Sequence, residues 1–200
     1  TEPFQDDFVM TLRSCPGDRT IRIYDVRVRL INSTKNIGEN YVNLPEAIDA
    51  LAEQEKNSPG SEYKIDFLKD YSMRQEDIQA LKDITKQGSA RSSAATANKI
   101  IWCADIDQNG NASTSIKTLS IKDEMSLFGT TAGDKEAENI FQNIRLAGET
   151  DSGIYANEIK LTIAGGVTTT NSNISIYGGS EQNANTAGKK TITIEQGTVK

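Results

Sequence analysis

Between residues 99 and 121 two β-prone runs, 100–104 and 115–121, flank a loop in which Asp105, Asp107 and Asn109 alternate ahead of Gly110. Two strands joined by a glycine-punctuated polar loop read as a hairpin, and a hairpin commits the flanking chain to antiparallel pairing. The same stretch holds the single tryptophan, Trp102, and one of two cysteines. Core, covalent link and site are therefore expected to meet here.

Oxygen-bearing side chains at every second residue followed by glycine resemble the first half of a calcium-binding loop. The set is Asp105, Asp107 and Asn109, continued by the backbone oxygen of Asn111 and a side-chain or water-mediated contact at Ser113. At the twelfth position, where an EF-hand places a bidentate glutamate, this chain has Ile116. The favoured reading is a polar turn whose Asp and Asn side chains satisfy their own backbone. The alternative is a structural calcium site, with a dissociation constant of about 0.1 to 1 mM, the range of extracellular modules.

Apolar residues on both sides of this stretch set the expected elements. Residues 19–31 have strand character, with Ile21 and Ile23 on one parity and Val26, Val28 and Leu30 on the other. A bulge near Tyr24 and Asp25 would keep one face buried, and Arg22, Arg27 and Arg29 then line the opposite face. Guanidinium groups in a row suit a carboxylate, phosphate or sulfate, or else form a solvated face paired with acidic neighbours.

Asn43 with Glu46 forms a capping-box pattern, followed by a helical face of Leu44, Ala47, Ile48, Leu51 and Ala52. Residues 62–71 fit strand or helix, and a second helix carries Met73, Ile78, Leu81 and Ile84. A third is expected over 134–146, from the spacing of Ala137, Ile140, Phe141 and Ile144. Beyond Gly153 the pairs Leu161 and Ile163, Ile174 and Ile176, and Ile192 and Ile194 alternate as strands. The expected fold is α+β, with antiparallel sheets, about three short amphipathic helices and a β-rich C-terminal third. A single domain spanning 1–200 is expected, its one candidate internal boundary being the small-residue loop 88–98.

The bulk numbers bound function. A net charge of −6 argues against broad nucleic-acid binding, and no run approaches the roughly 20 apolar residues that a membrane helix needs, so no membrane insertion is expected. Cys15 and Cys103 allow one intramolecular disulfide, which in the chain-entropy model would stabilise the fold by roughly 4 to 5 kcal/mol; the alternative is two buried thiols. Histidine is absent altogether, which removes the commonest general base and metal ligand. No serine sits in a nucleophile elbow, and no glycine loop has P-loop spacing.

The function expected from these features is a secreted or surface-exposed structural or adhesive protein, a filament or particle subunit that self-assembles or binds a protein partner, located outside the cell or on its surface. A module binding an anionic ligand or acidic partner through Arg22, Arg27 and Arg29 is the alternative, with a carboxylate-dependent enzyme behind both.

Overall fold

The structure is a computed structural model that describes residues 24–30, 39–57, 62–85, 99–122, 126–127, 138–149, 152–156, 160–167, 169, 174–178 and 191–195. Cys15, Arg22 and the loop 88–98 lie outside the described residues. So does the side chain of Arg29.

Strands β1 (Val26–Leu30) and β2 (Glu39–Tyr41) pair antiparallel at the start of the described chain. Helix α1 (Leu44–Asn57) follows, and Oδ1 of Asn43 accepts the Glu46 N–H at 2.9 Å. Oε2 of Glu46 accepts the Val42 N–H in return, a capping box reaching one residue further back than usual. The apolar stripe Leu44, Ala47, Ile48, Leu51 and Ala52 is buried. Next come β3 (Glu62–Phe67), β4 (Tyr71–Ser72) and α2 (Gln75–Thr85), where a carboxylate oxygen of Asp77 accepts the Arg74 N–H at 2.6 Å and closes the first turn.

From there the chain coils. One circuit comprises β5 (Lys99–Cys103), β6 (Thr118–Ile121) and β7 (Ser126–Leu127). The next comprises β8 (Glu138–Phe141), β9 (Arg145–Gly148) and β10 (Gly153–Tyr155). Then follow β11 (Lys160–Ile163), β12 (Ser175–Tyr177) and β13 (Thr191–Ile194). Successive strands of a circuit join different sheets, and each lies parallel to its counterpart in the neighbouring circuit. The result is a seven-stranded sheet in the order β13-β11-β8-β5-β3-β1-β2 and two three-stranded sheets, β12-β10-β7 and β4-β6-β9. This is a parallel β-solenoid, in which each coil buries its apolar face against its neighbours rather than alone.

Register makes the core a set of ladders. Val28, Ile65, Trp102, Phe141, Ile163 and Ile194 stand in line across the large sheet, and beside them run Tyr63, Ile100, Asn139, Leu161 and Ile192. The Trp102 ring lies between those of Phe67 and Phe141, with centroids 6.5 and 6.0 Å away. The outward face carries its own ladder: Glu62, Lys99, Glu138 and Lys160 are in register and alternate in sign. Each opposite-charge neighbour adds roughly 0.2 to 1 kcal/mol, and a slip by one strand would place like charges together. At the end of each strand one backbone bond repeats, from Gln142 N to Trp102 O, Ala164 N to Phe141 O and Glu195 N to Ile163 O.

Three expectations are corrected. The α+β fold with antiparallel sheets gives way to a mixed sheet in which β3, β5, β8, β11 and β13 are parallel and only β1, paired antiparallel with both β2 and β3, runs against the others. The hairpin between 100–104 and 115–121 does not form, because β5 and β6 belong to different sheets; within the loop between them an isolated Ile106 to Ala112 bridge forms instead. Of the helix expected over 134–146, the described part, 138–146, is β8, a corner and the start of β9, so the described residues contain two helices. Asn139 and Phe141 point inward along β8, the corner at Gln142 and Asn143 resets the parity, and Ile144 and Leu146 point inward again. Across such a corner the spacing from Phe141 to Ile144 imitates a helical turn.

Candidate functional site

The corner where β3, β5 and β8 leave the large sheet gathers a hydrogen-bonded cluster of polar side chains. Lys64 and Asp66 project outward from β3 because Tyr63, Ile65 and Phe67 take the inward positions. Cys103 is the register partner of Asp66, outward because Trp102 is inward. Asp105 follows at the start of the loop, and Gln142 and Asn143 arrive from the corner after β8.

One acceptor network joins them. Oδ2 of Asp105 takes the Lys64 ammonium at 2.6 Å and the Gln142 amide at 3.2 Å, while Oδ1 takes the Asn143 amide at 2.8 Å. Side-chain exposures of 23% for Lys64 and 17% for Asp105 make this a largely desolvated pair. Burial alone would raise the Asp105 carboxyl; hydrogen bonds from Lys64 and Asn143, with the Lys64 charge, outweigh it and hold the group below the usual carboxylate range. Behind it, Oδ1 of Asp66 accepts the Cys103 S–H at 3.2 Å and the Asp105 N–H at 3.1 Å. Burial pushes the Cys103 thiol up, and the charges of Asp66 and Asp105 push it further.

Asp66 and Cys103 are fully buried although they face outward. The loop accounts for this. Gln108, near its tip, offers its carbonyl oxygen to Asn40 Nδ2 at 2.9 Å and to Arg27 Nη1 at 3.3 Å, which draws the loop across the outer face of β1 and β2. Arg27 also donates to Oδ1 of Asn40 at 2.9 Å. Of the arginine row, Arg27 thus braces the loop, Arg29 is the backbone partner of Lys64, and Arg22 lies outside the described residues.

The candidate calcium ligands are placed as follows. Asp105 faces Lys64, Gln142 and Asn143. Asp107 folds onto its own turn, where Oδ1 accepts the N–H groups of Asn109 and Asn111 at 2.8 and 2.9 Å, and these backbone bonds, led by that from Asn111, lower its carboxyl. Gly110 takes a φ of +84° to close that turn, and Ser113 Oγ donates to Ser115 O at 2.8 Å. The oxygens of Asp105 and Asp107 are thus engaged separately, and a cation at the first would have to displace the Lys64 ammonium. Asp66, Cys103 and Asp105 do bring their potential ligand atoms within 4.8 Å of one another. A protonated thiol that donates to its carboxylate neighbour is a poor ligand, because metals take the thiolate. Cys103 is a free thiol, and Cys15 lies outside the described residues.

The residues that sequence reasoning missed here are Lys64, Asp66, Gln142 and Asn143. Lys64 and Asp66 were visible as the polar parity of a strand that alternates Tyr63, Ile65 and Phe67. Nothing local connected them to Asp105. Beside the network an open cleft of about 250 Å³ is lined by Asp105, Asn143, Ser113, Thr114 and Ile116, among others. Its accessible groups are hydroxyls and amides, with no activated nucleophile among the described residues.

The fold and this corner define a β-solenoid whose longest described loop is folded back onto its sheet. No protein-family model, curated protein or solved structure matches the chain. Among the described residues no helix is long and apolar enough to cross a membrane.

Proposed function

We propose that the protein is a surface-exposed or secreted structural subunit, adhesive or particle-forming, in which the coil stack serves as a rigid scaffold. The observation that supports this most is the closed polar network at the corner. Asp105 is held by Lys64, Gln142 and Asn143, and Asp66 by Cys103 and the Asp105 backbone. Catalytic groups are kept available to substrate and tuned near working pH; these are turned toward one another and hold three coils in register. Antibody labelling and protease shaving of intact source cells test the location. Signal without permeabilisation supports the reading, and signal only after permeabilisation overturns it.

A further inference from the structure

The outer face of the large sheet carries two rows of side chains across β3, β5, β8 and β11. One row is Glu62, Lys99, Glu138 and Lys160; the next, two residues further along each strand, is Lys64, Ile101, Ile140 and Thr162. The loop covers the row beyond, at Asp66 and Cys103, which are fully buried. Apart from Thr162, the side chains of the two open rows are only half-buried. Ile101 and Ile140 therefore form an apolar centre, flanked by charge, in a face that nothing within the described chain closes.

Charge that alternates at the strand spacing, about 4.8 Å, restricts what can cover this face. A uniformly acidic or basic partner meets a like charge at every second rung, and the loss there offsets the gain between. A matching partner alternates at the same spacing, and the row itself does so: Glu-Lys-Glu-Lys read from its other end is Lys-Glu-Lys-Glu. A two-fold axis parallel to the strands, between β5 and β8, reverses the order of the rungs and keeps the position along each strand. It sets Lys99 of one copy against Glu138 of the other, Glu62 against Lys160, and Ile101 against Ile140 at the centre. An axis across the rungs would instead set Lys99 against Ile101 and Glu138 against Ile140, taking charge out of water against apolar side chains.

We propose that this outer face is an isologous interface, by which two copies of the chain pack sheet to sheet with their strands parallel. The pairing rests on the structural role proposed above and names its partner, a second copy. A face of four rungs and two rows is small beside the roughly 1,200 Å² or more that stable complexes bury, so the dimer is weak and forms at high micromolar concentration.

Sedimentation equilibrium tests it without reference to cellular location. The expected result is a concentration-dependent rise from 21.8 kDa toward twice that mass. The dimer should weaken as salt rises from about 0.1 to about 1 M, where the Debye length falls from about 10 to about 3 Å. Ile101→Lys, checked for an unchanged circular-dichroism melt, should weaken it about tenfold without touching the charge row. Inverting the row by Glu62→Lys, Lys99→Glu, Glu138→Lys and Lys160→Glu keeps the alternation within a chain and between two like copies, so this variant should dimerise with itself. Against the native chain it sets like charges at every rung. Fluorescent native chain should therefore stay monomeric in excess unlabelled inverted variant and shift to dimer in excess unlabelled native chain. A monomer at every concentration reached, a dimer indifferent to salt or to Ile101→Lys, or mixed dimers as abundant as native ones overturns the interface. A dimer formed by a chain confined inside the cell would overturn the location proposed above and leave this interface standing.

Discussion

Trp102 donates its indole N–H to Oδ1 of Asn139 over 3.1 Å, joining the two inward ladders of the large sheet at neighbouring coils. Asn139 is 1% exposed and stands where Ile100 and Leu161 flank it in register. A polar side chain in an apolar ladder is stable only with its partner, since an orphaned buried donor costs about 1 to 3 kcal/mol. Asn139→Ala, which also leaves a void, is expected to destabilise by about 2 to 4 kcal/mol. Asn139→Leu should cost less, and Trp102→Phe combined with it less than the two single changes together. Urea unfolding of the four proteins forms the double-mutant cycle; strict additivity would mean the bond carries no coupling.

The pair between Asp105 and Lys64 gives a pH dependence of definite sign. Because the folded carboxyl titrates below its unfolded value of about 3.9, the unfolded chain takes up the proton first as pH falls. Stability contributed by Asp105 is thus present above that value and is lost as pH drops through the folded pKa. Asp77 has the opposite sign: burial raises its carboxyl, so its contribution improves on acidification. Comparing the native chain with Asp105→Asn isolates the first effect. The variant should be less stable by about 1 to 3 kcal/mol at neutral pH, with the gap closing as pH falls through the lowered pKa of the folded carboxyl. A gap independent of pH would assign the loss to shape rather than charge.

Cys103 should be chemically silent in the folded protein. Its thiol is buried, protonated and hydrogen-bonded, whereas reactive cysteines are exposed thiolates. In a Cys15→Ser background, labelling by a thiol reagent is expected to proceed only through opening, at a rate that tracks denaturant as unfolding does. Rapid labelling under native conditions would contradict this. In the native sequence, peptide mapping without reductant should recover Cys103 free rather than joined to Cys15.

The loop at 105–113 offers a direct test with calcium. Mass action at ten times the dissociation constant would add about 1.4 kcal/mol to a chain that bound the ion only when folded. With Asp105 held by Lys64 and Asp107 by its own turn, melts in excess calcium and in chelator are expected to coincide. A higher melting temperature in calcium that disappears in Asp107→Ala would show instead that the loop rearranges around the ion.

Much of the strand content was legible, and the pairing was not. Alternation marks Tyr63, Ile65 and Phe67, and likewise Leu161 with Ile163, because a strand shows its buried face at period two. The α1 face and the Asn43 cap were equally local. The partners of β5 are β3 and β8, each separated from it by dozens of residues, and no short-range pattern announces them. The coil repeat was hidden by unequal circuits: Phe141 to Ile163 spans little more than half the residues from Trp102 to Phe141, because the loop after β5 is long. For the site, the alternating Asp105, Asp107 and Asn109 identified a turn-forming loop. That Lys64 stands opposite Asp105 depends on parallel register, which only the assembled sheet supplies.

The repeating backbone bond at the end of each strand also sets how the molecule bears force. Spacing between strands is about 4.8 Å, so the seven-stranded sheet is a rod roughly 30 Å long across its rungs. Pulled along that axis, the rungs carry the load in series, and the rod is as strong as its weakest single rung. Pulled parallel to the strands, the hydrogen bonds of a rung share the load in shear and must break together. A tether fixed at the β13 end would peel coils away one at a time, dissipating work with each.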